Sequence, residues 1–487
     1  MSLTLAYNIA RGALATNAAS ASVVSRNVSN GENSDAARKT ALLVTDSSGG
    51  VYVAGVANQI ASALLERSLE SAAASGQASE VAKALEQLST LVGDPELESS
   101  PAALIGKFRS ALQTAAGAPH DSTALRGVLS SAGDLVASLN SSAELSATVR
   151  QDAQSSLGQA VNELQSLVEN FATVNREIVT GTALGRDITD QIDRRNGLVR
   201  QIADLVNIRT QVGTDNDMAI FLANGGTLFE TAARTISFDS GATPLPGAPG
   251  SALLIDGVPQ GDGGSLGGRI GGLLQVRDKV TLELDRQLDE IARGLIVATS
   301  EADQSASPSG ADLAGLFTYS GGPGLPAAGT VGLASVIRVN ANADPELGGS
   351  LDRLRDGGIS DTGDPRYVYN TNSLPGYSGR LNDLIDRLSA DQPFSSSMGI
   401  SVSSGGVMAL ASTSAGWLEG QRSTNRADSE QKKVLAEKAM GAWQSEVGVN
   451  LDDELTALMA LERSYQASTR LISSVNSMFD ALLSAVR

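Results

Sequence analysis

Residues 463–487 read RSYQASTRLISSVNSMFDALLSAVR. Starting two residues upstream, Leu461, Tyr465, Ser468, Ile472, Val475, Phe479, Leu482 and Val486 follow at steps of three or four. That spacing draws one unbroken seam down one side of a helix. After Arg487 the sequence offers nothing to fold back over it, so its cover is expected elsewhere.

The opposite end carries a matching seam. Leu3, Tyr7, Ala10, Leu14, Asn17, Ala21, Val24 and Val28 alternate steps of four and three, with Asn17 as the polar intruder. An amphipathic helix lying on the body would explain either seam alone. Two seams of similar length, one at each extreme, point instead to pairing of the two ends as an antiparallel hairpin completed by other subunits. Burying a Leu, Ile or Phe side chain contributes roughly 1.5–3 kcal/mol. Fixing a backbone residue costs roughly 1–2 kcal/mol. Several seam positions are Ala, Ser or Asn, so neither helix offsets its own ordering. Both ends are therefore expected to be disordered in the free monomer and helical on assembly.

The C-terminal helix has a readable start. In GVNLDDEL (448–455), Asn450 suits an N-cap, and Asp452, Asp453 and Glu454 meet the positive end of the helix dipole. A metal site is the weaker reading of these three carboxylates, because helical spacing splays them and no His is near.

Composition narrows the classes. Of 487 residues, 41% are apolar and only 3% aromatic, which suits long close-packed helices better than a deep ligand pocket. A net charge of −18 without a basic stripe argues against nucleic acid. The chain has no Cys, so disulfides and thiolate chemistry are excluded. No run of eighteen apolar residues marks a membrane span. The acid-poor, Ser/Ala-rich start resembles a transit peptide in composition, but its heptad spacing favours an assembly helix, and no cleaved secretory signal is expected.

The two ends together resemble bacterial flagellar axial proteins, most closely the FlgK family of hook-associated proteins. The C-terminal signature is carried by Gly448 to Glu454, Tyr465 to Ser468, and Asn476 with Met478 to Leu483. At the other end, SVVSRNVSN (22–30) is similar to the Asn-containing element that closes the family's first helix, and GGVYVAGV (49–56) to the strand that follows. GENSDAARKT (31–40) departs from the family's usual Asn-x-Asn-Thr-Pro-Gly-Tyr continuation. Weaker likeness extends to residues 187–208, 267–292 and 316–322. The resemblance implies a structural subunit of the hook–filament junction, exported unfolded by the flagellar type III apparatus to the cell exterior. It implies as partners other copies in a ring, the flagellar hook protein, the second junction protein (hook-associated protein 3) and an export chaperone at the C-terminal helix. It implies no enzyme activity, no cofactor, and no membrane or nucleic-acid partner.

The fold is expected to be mainly α with inserted β domains. Residues 1–30 and 450–487 form the terminal coiled-coil unit. An elongated helical bundle takes 31–208, 263–302 and 405–449. A β domain occupies 209–262, and a Gly/Ser-rich β and irregular outer region 303–404. Within the bundle, Val81–Val92, Leu125–Leu139 and Leu145–Ile178 give helical stripes, with Asp121 as a cap and Gly181 as a stop. Asn224-Gly225 signals a hairpin. A long helix from about residue 408, through Trp417 and Trp443, hands over to the terminal helix, so the order is nested.

Catalytic and metal residues are not proposed. His120, the single histidine, sits in the turn GAPHDST. The glycine cluster GDGGSLGGRIGG (261–272) lacks the Walker lysine and the dinucleotide spacing, and reads as a flexible junction rather than a phosphate cradle. The site residues are those of subunit packing: Leu3, Tyr7, Ala10, Leu14, Ala21, Val24 and Val28 at one end, and Leu461, Tyr465, Ile472, Val475, Phe479, Leu482 and Val486 at the other. Rival readings are the neighbouring junction protein, a flagellin, or a secreted adhesin using the same export route.

Overall fold

The computed structural model describes residues 3–33, 35–47, 49–92 and 98–485. The chain opens with helix α1 (Leu3–Ser29) and a hairpin of β1 (Lys39–Thr45) and β2 (Val51–Asn58). Then come α2 (Ser62–Val92), α3 (Pro101–Gly117), α4 (Ser122–Ala183) and α5 (Thr189–Leu205). It closes with α12 (Val407–Val447) and α13 (Leu451–Ala485). The contacts are nested: α1 lies along α13, and α2 along α12.

Helix α4 has 62 residues, about 93 Å of rise, and forms the spine. Its start is capped by the Asp121 carboxylate, which accepts from Thr123 N at 2.7 Å. The two stripes read from the sequence are one helix. Ser142 and Ser146, both buried, carry the seam across the gap between Leu139 and Val149. The helix also runs past Gly181. It ends in a Schellman turn in which Gly185 (φ +64°) donates to Thr182 O and Arg186 to Gly181 O. Gly181 stays helical because Ile188 packs where its side chain would be. Helix α3 follows a Ser100 cap with Pro101 in its first turn, and buries Leu104, Ile105, Phe108 and Leu112 against α4.

The β insertion forms two antiparallel three-stranded sheets. The first orders β3 (Ile208–Val212), β4 (Met218–Leu222) and β5 (Thr227–Phe229), with Asn224-Gly225 in the second turn and Gly225 at φ +98°. Its Phe229 ring meets Phe171 of α4 edge-on at 5.1 Å. The second orders β6 (Ile236–Ser237), β7 (Leu254–Ile255) and β8 (Val258–Pro259).

The glycine cluster is a tight crossing, not a flexible junction. It holds α6 (Gly263–Leu266) and α7 (Gly268–Gln275), which continues through a π-helical turn at Val276–Val280 into α8 (Thr281–Ala298). A side chain at Gly268 would strike the Leu205–Val206 backbone, and one at Gly272 would strike Gln77 O of α2. Ile270, Leu273, Val280, Leu284, Leu288, Ile291 and Leu295, at helical spacing along this stretch, are all buried.

The outer region is built from β9 (Phe317–Thr318), α9 (Leu333–Val336), β10 (Arg338–Val339), α10 (Asp352–Asp356), α11 (Gly379–Ser389), β11 (Gln392–Pro393) and β12 (Ser404–Gly405). It is tied to α8 by buried polar groups. Glu301 accepts from Ile359 N, Ser360 N and Ser360 Oγ, while Arg380 and Arg387 donate to carbonyls at the end of α8. One contiguous apolar core runs from α2 through α4 and α8 to α11 and the start of α12.

Candidate functional site

Helices α1 and α13 run antiparallel. Leu451, at the start of α13, packs over Gly31 beyond the end of α1, while Ser464 meets Asn17 midway along both. The Asn17 side chain donates to Ser464 Oγ at 2.9 Å, and the hydroxyl is placed to donate back to Asn17 Oδ1 at 3.3 Å. The polar intruder in one seam thus meets an exposed hydroxyl beside the other seam.

Another face of α1 carries the hairpin, whose β2 is fastened by Thr16 Oγ1 donating to Val51 O at 2.6 Å. Towards its turn the hairpin leaves apolar side chains open on both faces: Leu42 (51% exposed), Leu43, Val44 and Tyr52. Leu455, Met459, Leu471, Met478 and Leu483 of α13 lie open as well. Exposed large apolar side chains gathered on neighbouring elements in this number mark an interaction site.

A polar joint connects these elements to the body. The Asn27 amide brackets residue 39, donating to Lys39 O at 2.8 Å and accepting from Lys39 N at 3.0 Å. The Lys39 ammonium, almost fully buried, pairs with Asp190 at 2.8 Å and Asp193 at 2.9 Å. Burial alone would lower the Lys39 pKa, but these two carboxylates hold it above its ordinary value. Burial raises Asp193 in turn, against the pull of Lys39 and the Ala37 amide. Asp193 also accepts from Ala37 N at 3.2 Å and the Asn58 side chain at 2.8 Å. Arg38 reaches α13, its Nε donating to buried Glu454 Oε1 at 2.6 Å. Around this joint sits a small second core of Ala37, Trp443 and Val447, with the Arg200 guanidinium 4.9 Å from the Trp443 ring.

The sequence-derived packing residues fall into three groups. Ala10, Val24 and Val475 are buried. Leu3, Tyr7, Leu14, Ala21, Leu461, Ile472 and Phe479 are half-buried. Val28, Tyr465 and Leu482 remain exposed within this one chain. Val486 lies outside the described residues. Asn450 caps α13 through Asp452 N at 3.0 Å, with Asp452 and Asp453 exposed in the first turn. Glu454 departs from that reading, because it is committed to Arg38. The joint residues Asn27, Lys39, Asn58 and Asp193 are not legible as a site, although Lys39 between two apolar runs was a visible signal.

Elsewhere the chemistry is sparse. His120 is exposed between α3 and α4. Among the described residues no group of three or more His, Cys, Asp or Glu is arranged to hold a metal, and no helix is long and apolar enough to cross a membrane.

Two family models match the chain. The flagellar hook-associated protein FlgK helical domain covers residues 85–320, and the flagellar basal body rod FlgEFG protein C-terminal covers 444–485. Both describe flagellar proteins, the class to which the helical spine and terminal pair correspond. Over residues 85–320, just under half of its length, the chain is similar to the FlgK family. Flagellar hook-associated protein 1 of Escherichia coli (strain K12) is 25% identical over 277 residues, which cover 55% of this chain and 48% of that protein. The flagellar hook junction protein FlgK from Burkholderia pseudomallei aligns in structure with TM-score 0.44 and 21% identity, covering 52% of this chain and 46% of that one. The chain thus spans about half the length of these relatives.

Proposed function

We propose that the chain is a structural, non-enzymatic subunit of the flagellum at the hook–filament junction, outside the cell. It assembles through α1, α13 and the β1–β2 hairpin after export in an unfolded state by the flagellar type III route. The supporting observation is the apolar surface these elements leave uncovered in one copy, on both the hairpin and α13. Neighbouring copies in a ring cover that surface. The hook protein on one side and hook-associated protein 3 on the other are the proposed axial partners, with an export chaperone shielding α13 before assembly. The polar joint at Lys39 transmits the position of the terminal pair to the helical body.

The reading is tested by deletion of the chain and by a variant lacking residues 1–30 and 450–487. Loss of attached filaments in both is the expected result. Filaments that remain attached in either strain overturn it.

A further inference from the structure

Away from the terminal helices, a cleft of about 270 Å³ opens between α4, α8, the loop 243–247 and the segment 331–335. Few aromatics argued against a ligand pocket, and this one is walled by small residues instead: Ala143, Ala147, Pro244, Pro246, Val331 and Ala334. Asp285 and Asp289, one turn apart on α8, supply the acid groups.

The walls are held in place. Arg150 of α4 donates to Arg277 O at 3.1 Å, Leu245 O at 2.9 Å and Ala248 O, which fixes the first loop. Asp289 accepts from Gly332 N and Ala334 N, both at 2.8 Å, which fixes the second. Arg150 is the only cation on the lining, and its N–H groups are directed at carbonyls. Burial raises the Asp285 pKa, with the Ser146 hydroxyl, Arg150 and Arg286 offsetting only part of that. Burial likewise pushes Asp289 up to about 6, against its backbone amides and with Asp285 adding to the rise. Burial is the largest cause in both, so a cation entering the cleft would favour their ionised forms.

We propose that this cleft binds a small aliphatic ammonium ion, its charge between Asp285 and Asp289 and its alkyl chain along Ala143, Pro244 and Val331. A largely apolar, pre-formed cleft with few convergent polar groups is the usual form of a small-molecule site. The proposal does not depend on the flagellar assignment. Binding needs ionised carboxylates, so affinity rises as pH climbs through about 6. The charged group facing Asp289 is Asp285 on its own helix, and Asp285 in turn is faced by Arg150 from α4 and Arg286 on α8. Glu290 turns away toward Ser395 N and Arg293, and Arg277 is paired with Asp278. The segments 243–247 and 331–335 bring no charge.

The test is calorimetric titration and saturation-transfer NMR of the full chain with pentylammonium chloride, 1-pentanol and sodium pentanoate, at about pH 7.5 and about pH 5. Saturable ammonium binding, at least about tenfold tighter than pentanol and weaker at the lower pH, is expected. Asp285→Asn weakens it by about tenfold. Ser335→Trp, an exposed rim change, blocks it, and Asp453→Asn on α13 leaves it unchanged. No saturation by about 10 mM, equal binding of pentanol, or retention in both Asp285→Asn and Ser335→Trp overturns the proposal.

Discussion

At the residue scale, Lys39 and Asp193 show how a few side chains position the assembly surface. They lie 154 residues apart, yet both are buried at the foot of the hairpin. Removing one partner of a buried pair leaves an uncompensated charge, which costs roughly 3 kcal/mol. Lys39→Met should therefore lower stability by about that amount and raise amide exchange over residues 36–58, measured by denaturant melts and exchange mass spectrometry. Lys39→Met combined with Asp193→Leu should recover part of the loss, because the carboxylate left without Lys39, Asp190, is largely exposed. Asp289 gives a second prediction. Its folded pKa, about 6, lies above the usual carboxylate value, so the native state holds the extra proton between about pH 4 and that value. Stability then falls as pH rises through this window. Asp289→Asn should flatten that fall by roughly 1–2 kcal/mol, read as the difference between denaturant midpoints at about pH 4.5 and about pH 7.5.

Among elements, α4 decides the body. Its 3.6-residue period was legible throughout, and so was the Asp121 cap, because helical spacing and capping are local properties. Its continuity was harder to read. Ser142 and Ser146 are polar by type, so the stripe is interrupted in sequence, whereas both are small enough to pack in the seam, and Ser142 Oγ bonds back to Ser138 O at 2.8 Å. Helix α3 had a usable signal in Ser100-Pro101 followed by Leu104, Ile105, Phe108 and Leu112. The Gly181 stop failed because a glycine can serve close packing as well as a turn, and only the neighbouring Ile188 distinguishes them. Asn27 was visible as part of a motif, but its bracket on Lys39 depends on a chain reversal that no local rule specifies. Phe171, fully buried and edge-on to Phe229, is where α4 holds the first β sheet. Phe171→Ala should cost about 3–5 kcal/mol in thermal or denaturant unfolding, with exchange protection lost first over residues 208–229.

For the whole molecule, nesting puts the two ends of the chain side by side, distant from the large core. The body shares one contiguous core from α2 to α12, whereas α1 and α13 bury few large side chains between them. Ala10, Val23, Val24 and Val475 are their buried apolar residues, and Asn17 meets Ser464 midway along the pair. With each buried large aliphatic contributing roughly 1.5–3 kcal/mol, such a short list does not offset the ordering of two long helices, at roughly 1–2 kcal/mol per residue. The body, by contrast, buries enough to stand without them. Local stability should then differ sharply along one chain. In the free protein, amides of residues 3–28 and 461–485 should exchange within seconds while those of α4 and α8 stay protected for hours. On assembly with other copies the same ends should become protected. If the ends of the free monomer are as protected as α4, the terminal pair is stable on its own and assembly does not supply its missing cover.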